Sequence, residues 1–148
     1  MSLNDAQTLT LSLLADQVVP PSEAHGVPGA GDPAIVAAII GDAGPRLPRL
    51  ARALAQLDEL AITAHGVPFA ELAADQREPV ALAFRETHTA SAGLVETLTT
   101  QCYYRDDRVM VSLGLEARAP HPSGYEVEQG DWSLLDPVRN RSALYRKA

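Results

Sequence analysis

Four scarcities frame this sequence. A single cysteine, Cys102, among 148 residues excludes an internal disulfide and any zinc site built on paired thiolates. Aromatic residues are only 5% of the chain, so Leu, Ala and Val must fill the core, a composition that suits helices. Basic residues are outnumbered: 12 Lys and Arg against 19 Asp and Glu leave a net charge of −7. That balance repels a phosphate backbone, and no basic stripe interleaved with aromatics offsets it locally, so nucleic acid is excluded as a partner. Long apolar runs are also missing. No window reaches eighteen uninterrupted apolar residues, so no membrane span is expected. The first apolar stretch, LTLSLLADQVV, has no basic residue before it. It is broken by Asp16 and ends at Pro20 and Pro21 rather than at a small-residue cleavage site, so it does not read as an export signal.

What is present describes one globular domain: 46% of the residues are hydrophobic and 21% charged, in a chain of single-domain length. Helical periodicity dominates. Asn4 or Asp5 caps a first helix whose stripe Leu11, Leu14, Ala15 and Val18 follows the offsets of one helical face, and Pro20 and Pro21 end it. PPSEAHGVPGAG is too rich in Pro and Gly for either period and reads as a loop. Asp32 as N-cap, Pro33 at the first helical position and Gly41 as the stop define a second helix burying Ile35, Val36, Ile39 and Ile40. In the third, Leu47, Leu50, Leu54, Leu57 and Ala61 recur at alternating steps of three and four up to Gly66, a seam for another helix. A fourth begins between Asp75 and Pro79 and runs past Phe84. A fifth carries Leu94, Val95, Leu98 and Cys102 and ends near Tyr104.

Beyond it the pattern fails. VMVSLGL has strand-forming residues but no second strand to pair with, and reads as extended tail. Ser133 caps a last short helix, with Pro137 either in its first turn or splitting it. The expectation is therefore an all-α fold: a compact bundle of about five helices with a long Pro-rich loop and an extended C-terminal tail wrapping the surface. Residues 1–104 would form the helical core of a single domain, and 105–148 the tail.

Chemistry is thinly signposted. His25, His65, His88 and His121 invite a metal reading, with Glu23 as a further group, yet none pairs with a second ligand at helix or loop spacing. Cys102 lies on an apolar helix face with Arg105 as its nearest basic neighbour in sequence, and reads as an inert buried thiol. The glycines of GVPGAG follow no strand, so the dinucleotide-binding fingerprint fails on context. Arg46, Arg49 and Arg52 stand toward the positive end of the third helix, against the macrodipole's preference. They are either a solvated face or a contact for an acidic partner. The tail is unusual because it carries Tyr103, Tyr104, Met110, Tyr125 and Trp132. Such aromatic side chains dock, either on the chain's own helices or on another protein.

LADQVVPPSEAHGVPGAGDPAIVAAI, HGVPFAELAADQRE, TLTTQCYYRDD and PHPSGY, in that order across roughly residues 10 to 130, resemble the gluconate 2-dehydrogenase subunit 3 family. The resemblance implies a small, non-catalytic helical subunit. It would bind and stabilise, or chaperone, a large FAD-dependent sugar or polyol dehydrogenase of the glucose-methanol-choline class, with a cytochrome subunit as a further partner. The flavin and catalytic base would belong to the large subunit, leaving this chain without catalytic, cofactor or metal residues. The residues expected to touch the partner, or to shape the contact, are Pro20, Pro21, Tyr103, Tyr104, His121, Pro122, Gly124, Tyr125 and Trp132, with Arg49 and Arg52 secondary. Family members commonly begin with a twin-arginine signal. This sequence shows none, which places it in the cytoplasm as it stands and in the periplasm if such a signal precedes it. Two readings from other classes stand beside this one: a small His-based metal protein or enzyme, and a module that self-associates through the Leu47 to Ala61 seam.

Overall fold

The computed structural model describes residues 2–119, 121–124, 126 and 128–142. Helix α1 (Asp5–Val18) begins where Asn4 and Gln7 satisfy each other: Asn4 Oδ1 accepts the Gln7 N–H at 2.8 Å and Gln7 Oε1 accepts the Asn4 N–H at 3.1 Å. This reciprocal box removes two orphan donors at once. Helix α2 (Pro33–Ala43) starts as expected, with Asp32 capping the Ala34 N–H at 2.9 Å. It passes straight through Gly41 and ends at Gly44, whose φ of +46° turns the chain into a 3-10 turn. Gly41 is therefore not the stop, and of the expected buried face Ile40 stays partly exposed.

Helix α3 (Leu47–His65) buries Leu47, Leu50, Ala53, Leu54, Leu57 and Ala61 and closes on Gly66, with φ +79°. It packs against α1, α4 (Ala74–Thr87) and α5 (Thr89–Tyr103), while α2 packs chiefly on α5. The leucine seam is spent inside the chain's own bundle: Leu50, Leu54 and Leu57 are wholly buried. Self-association through it is thereby corrected, since no apolar seam is left for a second copy. Helix α4 starts one residue earlier than expected, where Gln76 Oε1 accepts the Ala73 N–H at 3.1 Å. Pro79 consequently lies inside the helix rather than in its first turn.

VMVSLGL is the larger correction. Residues Asp107–Ser112 form a short helix, α6, capped by Asp106 through the Arg108 N–H at 3.0 Å, with Val109 buried. It is not extended. Helices α1 to α6 belong to one compact unit, residues 1–118, and residues 119–148 form a second. The architecture is all-α, and among the described residues there is no β-strand. Within the second unit a 3-10 turn, Trp132–Leu135, runs into helix α7 (Asp136–Arg139) with Pro137 in its first turn. The cap there is Asp131, not Ser133: its carboxylate accepts the Ser133 N–H at 3.0 Å and the Ser133 hydroxyl at 2.6 Å. Among the described residues no helix is long and apolar enough to cross a membrane.

Candidate partner-binding surface

The Pro-rich loop is more ordered than its composition suggests. Ser22 and Val27 exchange backbone hydrogen bonds, both 3.1 Å, around a turn carrying Glu23, His25 and Gly26. The returning limb of the loop is pulled onto α1: Ala30 N donates to Val19 O at 2.9 Å, Gly31 N to Asp16 Oδ1 at 2.7 Å, and Ser12 Oγ to Gly31 O at 2.8 Å. Two glycines make this approach feasible. A Cβ on Gly29 would stand 2.2 Å from Asp16 Oδ1, and one on Gly31 would stand 2.5 Å from Ser12 O. Pro20 and Pro21 lie exposed at the mouth of this loop, just past α1.

The end of the loop meets the residues that follow α5. Arg108 forms a bidentate pair with Asp32, at 3.0 and 2.9 Å, and also holds Asp106 at 2.9 Å. Asp32 caps α2 and Asp106 caps α6, so one guanidinium joins the two helix starts. Its hydrogen bonds hold both carboxyls below the ordinary carboxylate range, an effect that burial of each partly opposes. A second bridge, Arg105 to Asp42, ties the end of α5 to the end of α2.

Within this frame the tyrosine pair divides its labour. Tyr103 is buried, its hydroxyl pKa raised by that burial and by the nearby Tyr104 and Asp106. Tyr104 is 55% exposed, its ring edge-on to Tyr103 at 5.2 Å between centroids. Cys102 is buried beside them, its thiol pKa raised chiefly by burial, with Arg105 donating to the sulfur at 3.6 Å. Such a thiol is a poor nucleophile.

The structure therefore joins the end of the Pro20–Gly31 loop to α6 through Asp32 and Arg108, while Arg105, next to the tyrosine pair, meets the far end of α2 at Asp42. Arg49 and Arg52 are elsewhere. They are exposed on α3 and line a hollow of about 160 Å³ with Gln56, Ala90, Ser91 and Leu94. Ser91 lies at the start of α5, so at 1.5 Å per helical residue roughly 20 Å separates that hollow from Tyr104. His121, Pro122, Gly124 and Trp132 belong to the second unit and are exposed, Trp132 by 61%. Tyr125 lies outside the described residues. Of the histidines in the metal reading, His25 sits in the loop turn, His65 at the end of α3 and His88 between α4 and α5. Among the described residues no group of three or more His, Cys, Asp or Glu is placed to hold a metal ion. Sequence reasoning missed Arg108 and Asp16. The Asp-Asp-Arg run flags a local cap, but nothing in it points to Asp32.

Comparison with known proteins places this unit. The family described as gluconate 2-dehydrogenase subunit 3 matches residues 5–111, from the first residue of α1 into α6. No curated protein and no solved structure matches. The match takes in nearly all of the helical unit, and the chain belongs to that family, whose description makes it a subunit that works beside a protein partner.

Proposed function

From that membership we propose that the chain is a non-catalytic accessory subunit that binds a large FAD-dependent sugar or polyol dehydrogenase and stabilises its folded form. The observation that carries the reading is the family match along the whole of α1 to α5. The flavin, the substrate and any onward electron transfer to a cytochrome subunit belong to the partners. The exposure of Pro20, Pro21 and Tyr104 in the helical unit supports the reading. Backbone hydrogen bonds hold Ser22 to Val27 and Tyr104 to Thr100, so little ordering entropy is lost when a partner covers these residues.

Stabilisation needs no chemistry of this chain's own. A protein that binds only the folded large subunit shifts its unfolding equilibrium by mass action, by about 2.7 kcal/mol at a hundred times the dissociation constant. The test is a thermal melt of the purified, flavin-loaded large subunit across a concentration series of this chain. The midpoint is expected to climb with concentration. A midpoint that stays fixed at saturating concentrations, or substrate turnover by this chain alone, would sink the proposal.

A further inference from the structure

The chain holds 19 acidic residues against 12 Lys and Arg, so carboxylates are not scarce, and its arginines use them. Arg85 pairs with Glu96 at 3.2 Å, Arg105 with Asp42, and Arg108 with both Asp32 and Asp106 at 2.9 Å. Arg49 and Arg52 are the exception: among the described residues neither makes an ion pair or a side-chain hydrogen bond. They stand three apart near the start of α3, neighbours on one helical face, where like charges repel. They also lie at the end of the helix dipole that disfavours cations. No carboxylate of the described residues pairs with either to offset these costs.

The hollow of about 160 Å³ that the two arginines line has no acidic residue in its wall. Of the acidic residues on the neighbouring turns, Asp42 and Glu96 are taken by Arg105 and Arg85, and Asp58 accepts the Phe69 N–H at 3.0 Å. Glu59 and Glu86 are exposed and do not line the hollow. Its uncharged polar wall is fixed from both helices: Ser91 Oγ, on α5, donates to Gln56 Oε1, on α3, at 2.7 Å. That bond occupies the amide oxygen and leaves the Gln56 NH2 group as a donor. Beside these donors lie the apolar side chains of Ala90 and Leu94. Guanidinium forks match the two oxygens of a carboxylate, while the apolar side accommodates carbon. A cavity of about 150 Å³ admits benzene, so a body of about six non-hydrogen atoms fits a hollow of this size.

We propose that this hollow binds a small organic acid through its carboxylate. Arg49 and Arg52 hold the carboxylate oxygens, the Gln56 amide donates to them, and the carbon skeleton lies against Ala90 and Leu94. The apolar side decides the class, because inorganic phosphate satisfies the guanidinium groups but has no carbon to place on Leu94. Occupancy also neutralises the repulsion between the two arginines, so binding and the stability of the chain are linked. The site goes beyond the accessory-subunit reading: it is complete within the helical unit and lies roughly 20 Å along α5 from Tyr104.

The experiment titrates the full-length, isotope-labelled chain with sodium propionate, neutral propionamide or sodium phosphate at constant ionic strength. It follows the side-chain N–H signals of Arg49, Arg52 and Gln56 by nuclear magnetic resonance, and the thermal midpoint by circular dichroism. Propionate is expected to give saturable shifts at these three residues and a rising midpoint, propionamide neither, and phosphate binding several-fold weaker than propionate. The double variant Arg49→Gln with Arg52→Gln should weaken propionate binding by about tenfold. Arg52→Lys, which keeps the charge but not the fork, should weaken it several-fold. Arg46→Gln should bind as wild type, because Arg46 does not line the hollow and donates instead to Asp42 O at 3.0 Å. Both arginines are exposed, so the helical spectrum of each variant should match wild type. Shifts that grow without saturating, or wild-type affinity in the double variant, overturn the site. Phosphate binding as tight as propionate overturns the carboxylate assignment. No partner enters the titration, so either failure leaves the accessory-subunit reading as it stands.

Discussion

At the scale of single residues, function and stability separate most clearly in adjacent positions. Tyr103 and Tyr104 look alike in the sequence, both expected as contacts, yet Tyr103 is 4% exposed and Tyr104 55%. One anchors the core and the other is free to meet a partner, a distinction set by the helical phase of the end of α5. Glycine is equally ambiguous on paper. The run GVPGAG reads only as a turn, and the demand for Gly29 and Gly31 becomes visible once Asp16 and Ser12 are seen against them. Thr99 is the residue from which a stability gain is expected. It is wholly buried on α5, and its hydroxyl has no hydrogen-bond partner among the described residues. A buried, unpaired hydroxyl carries its desolvation cost uncompensated. Thr99→Val keeps the β-branched shape and removes that oxygen. It should stabilise the chain by about 1 kcal/mol, read as a higher urea midpoint with an unchanged slope; a lower midpoint would show that the hydroxyl is satisfied in solution.

Among the elements, α6 depends most on a contact distant in sequence. Arg108 reaches Asp32, 76 positions away, and Asp106 beside it. Because Arg108 holds both carboxyl pKa values low, the sign of the pH effect is fixed. A group with a depressed folded pKa contributes stability above its unfolded value and loses it as pH falls through the folded value. The clamp should therefore be whole above about pH 5 and open progressively below about pH 4. Amide exchange is a suitable probe, corrected for its intrinsic pH dependence. Protection at Met110 and Leu113, whose N–H groups bond to Asp106 O at 2.9 Å and Val109 O at 3.2 Å, should fall several-fold in Arg108→Met near neutral pH. The same loss should appear in wild type at low pH, with the variant showing no further change. Equal protection in both proteins at every pH would rule the clamp out. This dependence also explains what the sequence concealed. The leucine steps of α3 announce a helix because nineteen residues give the period room to repeat. A run as short as VMVSLGL fits strand and helix alike. The deciding terms were the Asp106 cap and a partner on α2, and the second cannot be read from local pattern. Pro79 misled for a related reason, since the start of α4 is set by a Gln76 side chain rather than by the proline.

On the scale of the whole molecule, the helical class and the order of the five long helices were legible, because each buries a stripe with its own period. The division of the chain was not, since a boundary depends on which residues find neighbours in space. Every fully buried side chain among the described residues lies between Thr10 and Val109, inside the unit that ends at Arg118. Among the described residues the core thus closes before residue 119. A version ending at Arg118 keeps every buried apolar side chain, the Asp32–Arg108–Asp106 clamp and the loop seated on α1. Its urea transition should remain cooperative, because every buried apolar side chain among the described residues is retained. Loss of the cooperative transition on truncation would mean that residues past Arg118 complete the core.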